Sequence, residues 1–286
     1  MEPLQTSPLL KEVVEAAKKL PPFPEVVWKV MPLIKRMAPV KEIEAVIKYD
    51  QAITAKVLAL SQTAYFSRRR NIETLHDAIV ALGDQQLISV IMTACSARYY
   101  ATDTAGYDLR EGELWEHSVA SALMSEIVGQ RLGLEKALTA YTAALLHDIG
   151  KTVLNFYIES YFDDIFALVQ DKKMRFIDAE REILGIDHQQ LGSLIAQQWR
   201  FPPQVVTAIR YHHNPKNATE DRDLAGLMYV VNRMVSAIGI GAGVDGFQQP
   251  NEDEMFVELG VTHRMVDEFL MDLIEALART RQFLSN

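Results

Sequence analysis

Cysteine is nearly absent from this chain, which has one cysteine among 286 residues. A single thiol excludes a disulfide within the chain, and this favours a reducing compartment. Cys95 lies in the stretch IMTACSARYY, among apolar neighbours and without a histidine nearby in the sequence. We therefore expect it to be a buried core thiol and not a nucleophile.

Basic charge is also scarce. The chain has 29 lysine and arginine residues against 38 aspartate and glutamate residues, which gives a formal net charge of -9. A charge of this sign repels nucleic acid, so no nucleic-acid partner is expected. One dense basic cluster, Arg68, Arg69 and Arg70, is expected to be a solvated loop.

Long apolar runs are missing as well. No stretch reaches the roughly 18 uncharged apolar residues typical of a membrane-spanning helix. The N-terminal residues MEPLQTSPLLKE carry an acid and prolines and do not match a signal peptide. We therefore expect a cytoplasmic protein without a membrane partner.

The spacing of apolar residues is helical almost everywhere. Residues 7–20 place Leu9, Val13 and Leu20 on one face, behind Ser7 as a helix cap. The strict alternation of a half-buried strand is absent, and so are internal repeats. The pattern predicts an all-α fold, and the length allows one large domain or two smaller ones.

Two segments divide the helical stretches. Residues 101–113, ATDTAGYDLREGE, are polar and include a glycine, and GIGAGVDGFQQPNEDE follows the second group of helices. We therefore expect an N-terminal helical lobe at 1–105, a second lobe at 106–242 and a C-terminal helical extension at 243–286.

Histidines are concentrated in the second lobe, each at a point where an apolar helical face begins or ends. They are His117, His147, His188, His212 and His213. One such histidine is usually a core residue with a backbone partner. Five of them on four helices, with Asp148 adjacent, favour a shared divalent metal, because burying imidazoles without partners costs about 1–3 kcal/mol each. Imidazole and carboxylate ligands suit Fe, Mn or Zn, with Ni, Mg and Co as further candidates.

The stretch AALLHDIGK adds two more residues to this hypothesis. Gly150 is expected to allow a tight exit from the helix after the ligands. Lys151 supplies a cation beside the metals, which suits a phosphate oxygen. The alternative for Lys151 is an ordinary lysine that neutralises the dipole at a helix C-terminus. Glu113, four residues before His117, shares its helical face.

The order of these motifs resembles the HDOD family, the HD-related output domain of bacterial signalling proteins, within the HD superfamily of metal-dependent phosphohydrolases. The resemblance covers about residues 20–240. Its motifs are LPPFPEV at 20–26, DQAITAKVLALSQTAYFS at 50–67, AIVALG at 78–83, WEHSVASA at 115–122, AALLHDIGK at 143–151, EREILGIDHQQLGSLIAQQWRFP at 180–202 and IRYHH at 209–213.

The resemblance implies an all-helical fold, with an N-terminal lobe packed on an HD-type lobe, and a metal site. Six residues match the ligand positions of the related HD-GYP cyclic-di-GMP phosphodiesterases: His117, His147, Asp148, His188, His212 and His213. Glu113 falls where some of those enzymes place a carboxylate ligand. With two metals, Asp148 would be the bridge, the first two histidines would hold one ion and the last three the other.

Two departures from the family pattern stand out. Asn232, in YVVNRMV, occupies the place of the last aspartate ligand of HD proteins, and an amide is a neutral and weaker ligand. The segment KNATEDRDLAG after HHNP is acidic and does not resemble the GYP segment. Specific hydrolysis of cyclic-di-GMP is therefore disfavoured.

Three functions stay open on the sequence. We expect a bacterial regulatory HDOD protein with a retained, dinuclear metal site and protein partners in signalling. The alternative is an active metal-dependent phosphohydrolase or phosphodiesterase on a phosphorylated small molecule, with Asp148 and Lys151 as its catalytic residues. The third is a helical adaptor without metal.

Overall fold

The computed structural model describes residues 7–63, 72–101, 103–134, 136–246 and 254–284, with side chains as far as residue 279. Of the residues in those ranges, 75% are helical. Within those ranges there is no strand, and one isolated antiparallel bridge joins Thr104 and Leu109. The predicted all-α class is confirmed. The basic cluster at 68–70 lies outside the described residues.

The α-helices follow one another through short connections. In chain order they are α1 (Pro8–Lys18), α2 (Glu25–Lys35), α3 (Val40–Ile47), α4 (Gln51–Ser61), α5 (Leu75–Ser96), α6 (Glu113–Leu132), α7 (Ala137–Leu146), α8 (Lys151–Ser160), α9 (Phe162–Asp171), α10 (Phe176–Leu184), α11 (His188–Gln198), α12 (Pro203–Tyr211), α13 (Arg222–Ala237), α14 (Gly243–Gly246), α15 (Glu254–Glu258) and α16 (His263–Leu284). Short 3₁₀ turns occur at Ala97–Tyr99, Ala105–Tyr107 and Pro215–Asn217.

The chain divides into two compact units. The first, called here the site unit, comprises Met1–Pro22 and Tyr99–Leu270, and the second, the companion unit, comprises Phe23–Arg98 and Met271–Asn286. Helix α1 belongs to the site unit, although it comes first in the chain. The boundaries expected at 1–105, 106–242 and 243–286 stay a prediction.

Helix α5 forms much of the interior of the companion unit. Thr74 and Asp77 form a reciprocal capping box at its start, and Gly83 interrupts its helical geometry with a φ of 67°. By length and composition alone, Leu75–Tyr99 could cross a membrane, but 67% of its apolar window is buried inside the protein. It therefore has the burial of a core helix, and the cytoplasmic location stays a prediction.

Helix α7 lies at the centre of the site unit, in contact with α6, α12 and α13. Every residue from Ala140 to Leu146 is buried. A helix that is apolar on all sides must be enclosed by other helices. The residues that directly follow α7 therefore lie in the interior, and they are His147 and Asp148.

Candidate metal centre

The end of α7 places two titratable side chains inside the protein. His147 and Asp148 are each 1% exposed. The His147 Nδ1 atom lies 2.6 Å from the Ala144 carbonyl oxygen, one turn back in the chain. The chain then turns, and α8 starts at Lys151.

Gly150 is required for space and not for backbone freedom. Its φ is -61°, an ordinary helical value, so the tight turn expected after α7 does not use the left-handed conformation that ends many helices. A Cβ atom at this position would lie 2.0 Å from the backbone oxygen of His188. The glycine therefore lets the turn after α7 approach the start of α11.

Four further elements bring histidines or an amide to the same place. His117 lies in the second turn of α6, His188 begins α11, and His212 and His213 follow the last residue of α12. Asn232 lies on α13 and is 4% exposed. All of these side chains are buried except His213, which is partly exposed.

Hydrogen bonds at Nδ1 orient four of the imidazoles. The partners are Ile240 O for His117 at 2.8 Å, Ala144 O for His147 at 2.6 Å, Ile209 O for His212 at 2.7 Å and Glu180 Oε2 for His188 at 2.8 Å. Each partner is an acceptor, so Nδ1 carries the proton in the neutral ring. The lone pair of each of these rings is therefore on Nε2.

These Nε2 atoms surround both oxygens of Asp148. The Oδ2 atom lies 3.7 Å from His117 and 3.4 Å from His147. The Oδ1 atom lies 3.7 Å from His188 and 3.6 Å from His212. These separations are longer than hydrogen bonds. They are close to the spacing of two donors on one ion, about 3–3.5 Å for metal–ligand bonds of 2.0–2.2 Å.

The donor atoms form two groups that share Asp148, and within each group they lie within 4.8 Å of one another. One group is His117, His147 and Asp148, and the other is Asp148, His188, His212 and His213. Three of these buried atoms have neither a hydrogen-bond partner nor a close cation: His147 Nε2, His212 Nε2 and Asp148 Oδ1. A bound metal ion would satisfy all three, so the cluster can hold a divalent metal.

Asn232 and Glu113, the two further candidates from the sequence, are placed differently. Asn232 Oδ1 lies 3.1 Å from His117 Nε2, which puts the amide beside the first group. Glu113 is half-buried, and its Oε2 accepts a hydrogen bond of 2.8 Å from the backbone N–H of Arg110. Glu113 belongs to neither group, and its role as a ligand stays a prediction.

Lys151 is held between two carboxylates. It is 3% exposed, and its Nζ lies 2.8 Å from Asp148 Oδ2 and 2.7 Å from Asp245 Oδ2. Burial acts to lower the pKa of this lysine, but the two carboxylates outweigh burial and raise it. Lys151 begins α8, so the alternative of a lysine at a helix C-terminus is wrong. Its catalytic role stays a prediction.

Burial and charge move the other pKa values of the cluster in different directions. Burial lowers the pKa of His117 and that of His212 to about 4. Burial also acts to lower the pKa of His188, but the Glu180 carboxylate outweighs it and raises the value to about 9. Burial opposes ionisation of Asp148, yet His147 and Lys151 hold its pKa well below the usual range.

Sequence reasoning missed three buried residues of this centre. Asp245 lies in the Gly-rich segment expected to be a break, and Tyr107 lies in the polar segment expected to be a junction, yet Tyr107 is 0% exposed. The burial of Glu180 could have been predicted from the sequence. This residue lies four residues after Phe176 and four before Leu184, on the apolar face of α10.

Comparisons with known proteins show the family and the fold. The HDOD domain family matches residues 20–215. An uncharacterized protein of Treponema pallidum is 23% identical over 229 residues, which is 76% of this chain and 42% of that protein. Ribonuclease Y of Thermus thermophilus is 34% identical over 103 residues, which is 36% of this chain and 13% of the enzyme. The matched residues thus span less than half of these relatives.

Three solved structures share the fold. An HDOD domain protein from Geobacter sulfurreducens has a TM-score of 0.74 at 22% identity, over 96% of this chain and 94% of that one. A candidate signal transduction protein from Marinobacter aquaeolei has a TM-score of 0.73 at 20% identity, over 99% of this chain and 66% of that one. A candidate metal-dependent phosphohydrolase from Shewanella amazonensis has a TM-score of 0.63 at 18% identity, over 95% of this chain and 97% of that one.

Proposed function

We propose that this chain, which belongs to the HDOD family, is a bacterial signal-transduction protein whose HD-type centre binds two divalent metal ions. One observation carries the proposal. The lone pairs of buried imidazoles face both oxygens of one buried carboxylate, Asp148, and several of these atoms have no hydrogen-bond partner. Lys151 neutralises only the Oδ2 side of this carboxylate, so the arrangement is costly without a metal ion and favourable with one.

The two groups divide the ligands between two metal positions. We name the first the amide position, for Asn232 beside His117 and His147. The second is the histidine position, with His188, His212 and His213. Asp148 would offer one oxygen to each. Nitrogen and oxygen donors of this kind suit Fe, Mn or Zn.

The burial of the centre supports a regulatory function over a catalytic one. The only cation within 4 Å of Asp148 among the described lysines and arginines is Lys151, and its charge is already matched by Asp148 and Asp245. A phosphate group would have to displace a carboxylate to reach this Nζ. A metal that is enclosed in this way stabilises a conformation of the protein, which is a means of controlling contact with a signalling partner.

A hydrolysis assay with a metal-loaded protein tests the regulatory proposal. Wild-type protein and Asp148→Asn are exposed to the same concentration of Mn²⁺ and incubated with bis(p-nitrophenyl) phosphate and a set of nucleotides. We expect the wild type to bind metal and to release product no faster than Asp148→Asn. Release that depends on Asp148 would overturn the regulatory proposal.

Active phosphohydrolysis is the second candidate, and the completeness of the ligand set favours it. A ribonuclease and a candidate metal-dependent phosphohydrolase are among the similar proteins. Divalent ions bound at the centre would supply Lewis-acid chemistry toward phosphoryl oxygens. Lys151 would then bind a phosphate oxygen of the substrate, and Asp148 would hold the two sets of metal ligands at a fixed distance from each other. The net charge of -9 favours a small phosphorylated substrate over a nucleic acid.

The enzyme candidate has its own test. Under it, Lys151→Gln raises KM for the phosphodiester while the metal content stays the same. Unchanged KM with retained metal would remove Lys151 from the catalytic set. We further propose a cytoplasmic location and protein partners. The partners captured on metal-loaded protein can be compared with those captured on metal-free protein.

A further inference from the structure

The two metal positions are supported by different groups behind their ligands. His117, His147 and His212 direct Nδ1 at backbone carbonyl oxygens, which are neutral. His188 directs Nδ1 at both oxygens of the Glu180 carboxylate, at 2.8 and 3.0 Å. A carboxylate behind a ligating imidazole fixes the ring and makes it a stronger donor. Only the histidine position has this support among the described residues.

Both oxygens of Glu180 are engaged by the His188 ring. Glu180 is 0% exposed, and its Oε2 also accepts a hydrogen bond of 3.0 Å from the backbone N–H of His188. Its ion-pair partner is the His188 ring. A buried carboxylate is unfavourable unless positive charge lies near it. Without metal the protonated His188 ring supplies that charge, and a metal held by this ring would replace the proton.

Tyr107 fixes the other oxygen of Glu180. Its hydroxyl donates a hydrogen bond of 2.7 Å to Glu180 Oε1, and the tyrosine is 0% exposed. The ring of Tyr107 also meets the ring of His188 edge to face, with centroids 6.2 Å apart. The tyrosine therefore restricts both the carboxylate and the imidazole that the carboxylate holds.

The amide position has no corresponding charge. Its additional group is Asn232, whose Oδ1 lies 3.1 Å from His117 Nε2. An amide oxygen is a neutral ligand and attracts a divalent ion less than a carboxylate does. The two positions therefore differ by a negative charge at the histidine position and a neutral group at the amide position.

We infer that Glu180 and Tyr107 are positioning residues that make the histidine position the tighter of the two, so that a divalent ion fills it first and the amide position second. The inference rests on the proposed metal centre and assigns an order of loading to it. The chemical class of the ligand is a divalent first-row transition ion.

Calorimetric titration of the chelator-treated full-length chain with Mn²⁺ alone tests the order of loading. Wild type is expected to take up the ion in a tight and a weak step. Glu180→Gln should weaken the tight step about 10–100-fold, as loss of a group behind a ligand does. The weak step should stay unchanged, which a general loss of structure would not produce.

Two further variants sharpen the assignment. Tyr107→Phe removes one hydroxyl and should weaken the tight step by a smaller factor, and it serves as the test if Glu180→Gln does not fold. Asn232→Asp should tighten the weak step alone. Asp187→Asn is the matched control, because Asp187 is a buried carboxylate next to His188 that pairs with Arg181 and caps α11 without touching an imidazole. It should leave both steps unchanged.

The outcomes distinguish a failure of the loading order from a failure of the proposed metal centre. Metal uptake by the wild type with both steps unchanged in folded Glu180→Gln and Tyr107→Phe would overturn the inference and leave the metal centre intact. Uptake of a single equivalent supports it if Glu180→Gln weakens that step, and overturns it if not. No uptake by folded wild type would overturn the metal centre and the inference with it.

Discussion

The interiors of the two units differ in the kind of polar group that they bury. In the companion unit, the described buried polar groups are hydroxyls and the Cys95 thiol, and Ser61, Thr93 and Ser96 donate to carbonyl oxygens of their own helix segments. The site unit buries titratable side chains, most of which contact segments that are distant in the chain: His117, His147, Asp148, Lys151, Glu180, Asp187, His188, His212 and Asp245. A chain keeps such costly groups inside where they serve a function.

Removal of a buried charge in the site unit should have the largest effect. Lys151→Met leaves Asp148 and Asp245 without their cation in the interior, so we expect a loss of about 3–5 kcal/mol in the free energy of unfolding. Urea denaturation of the metal-free protein measures it. Lys29→Met in the companion unit is the control, because Lys29 pairs with Glu25 at the surface. That change should stay within about 0.5 kcal/mol. Equal losses would contradict the comparison.

A glycine substitution in the site unit should abolish metal binding, whereas one in the companion unit should not. Gly150→Ala forces a Cβ against the backbone of His188 and must move α8 or α11, so the variant should lose metal. Gly83→Ala meets no atom within 4 Å but has to adopt a φ of 67°, at a cost of about 1–3 kcal/mol. Elemental analysis of both variants checks this. Retained metal in Gly150→Ala would show that the close approach is not required.

The metal-free protein should show a pH optimum of stability that arises in the site unit. The pKa of His117 and that of His212 are about 4 when folded, below the unfolded value of about 6.5. The unfolded chain therefore binds more protons between these values, and the free energy of unfolding rises with pH from 4 to about 6.5. The pKa of His188 is about 9, so its contribution is present below about pH 6.5 and is lost as the pH rises through 9.

Thermal unfolding after chelation, from pH 4.5 to 9, measures this profile. We expect the highest Tm near pH 6.5, and Glu180→Gln should remove the decline on the alkaline side. A Tm that is the same across this range in the chelated wild type would contradict the burial of these imidazoles.

The smallest effect is expected at Cys95 of the companion unit. Burial raises the pKa of this thiol to about 12, and the side chain is 2% exposed, which confirms the predicted core thiol. Iodoacetamide at pH 8 should therefore leave the folded protein unmodified and label it in urea. Mass spectrometry checks the labelling, and rapid reaction of the folded chain would mark the thiol as accessible.

Periodic features were predictable from the sequence, and contacts between distant loops were not. Helical spacing predicted the all-α class, and the cap expected at Ser7 accepts a hydrogen bond from Leu10 N. The histidines could be found because each interrupts or ends an apolar face. Asp245 lies in a segment without periodicity, and only the fold reveals that its carboxylate meets Lys151.

The reason for Gly150 could not be predicted either. Its sequence context suggested a tight exit from a helix, and the structure shows in addition a close approach of Gly150 to His188, which is 38 positions away in the chain. Spacing along one helix cannot reveal how near another helix will come. Tyr107 was hidden for the same reason, since a polar stretch was expected to be exposed.

The metal content of the protein is the most direct test of the account. Wild type and Asp148→Asn, purified without a chelator or a metal-affinity column, are compared by elemental analysis. We expect about two equivalents of Fe, Mn or Zn per wild-type chain and little in Asp148→Asn, because Asp148 supplies a donor to each position. A folded wild-type protein that holds no metal and takes up none on addition would contradict the account.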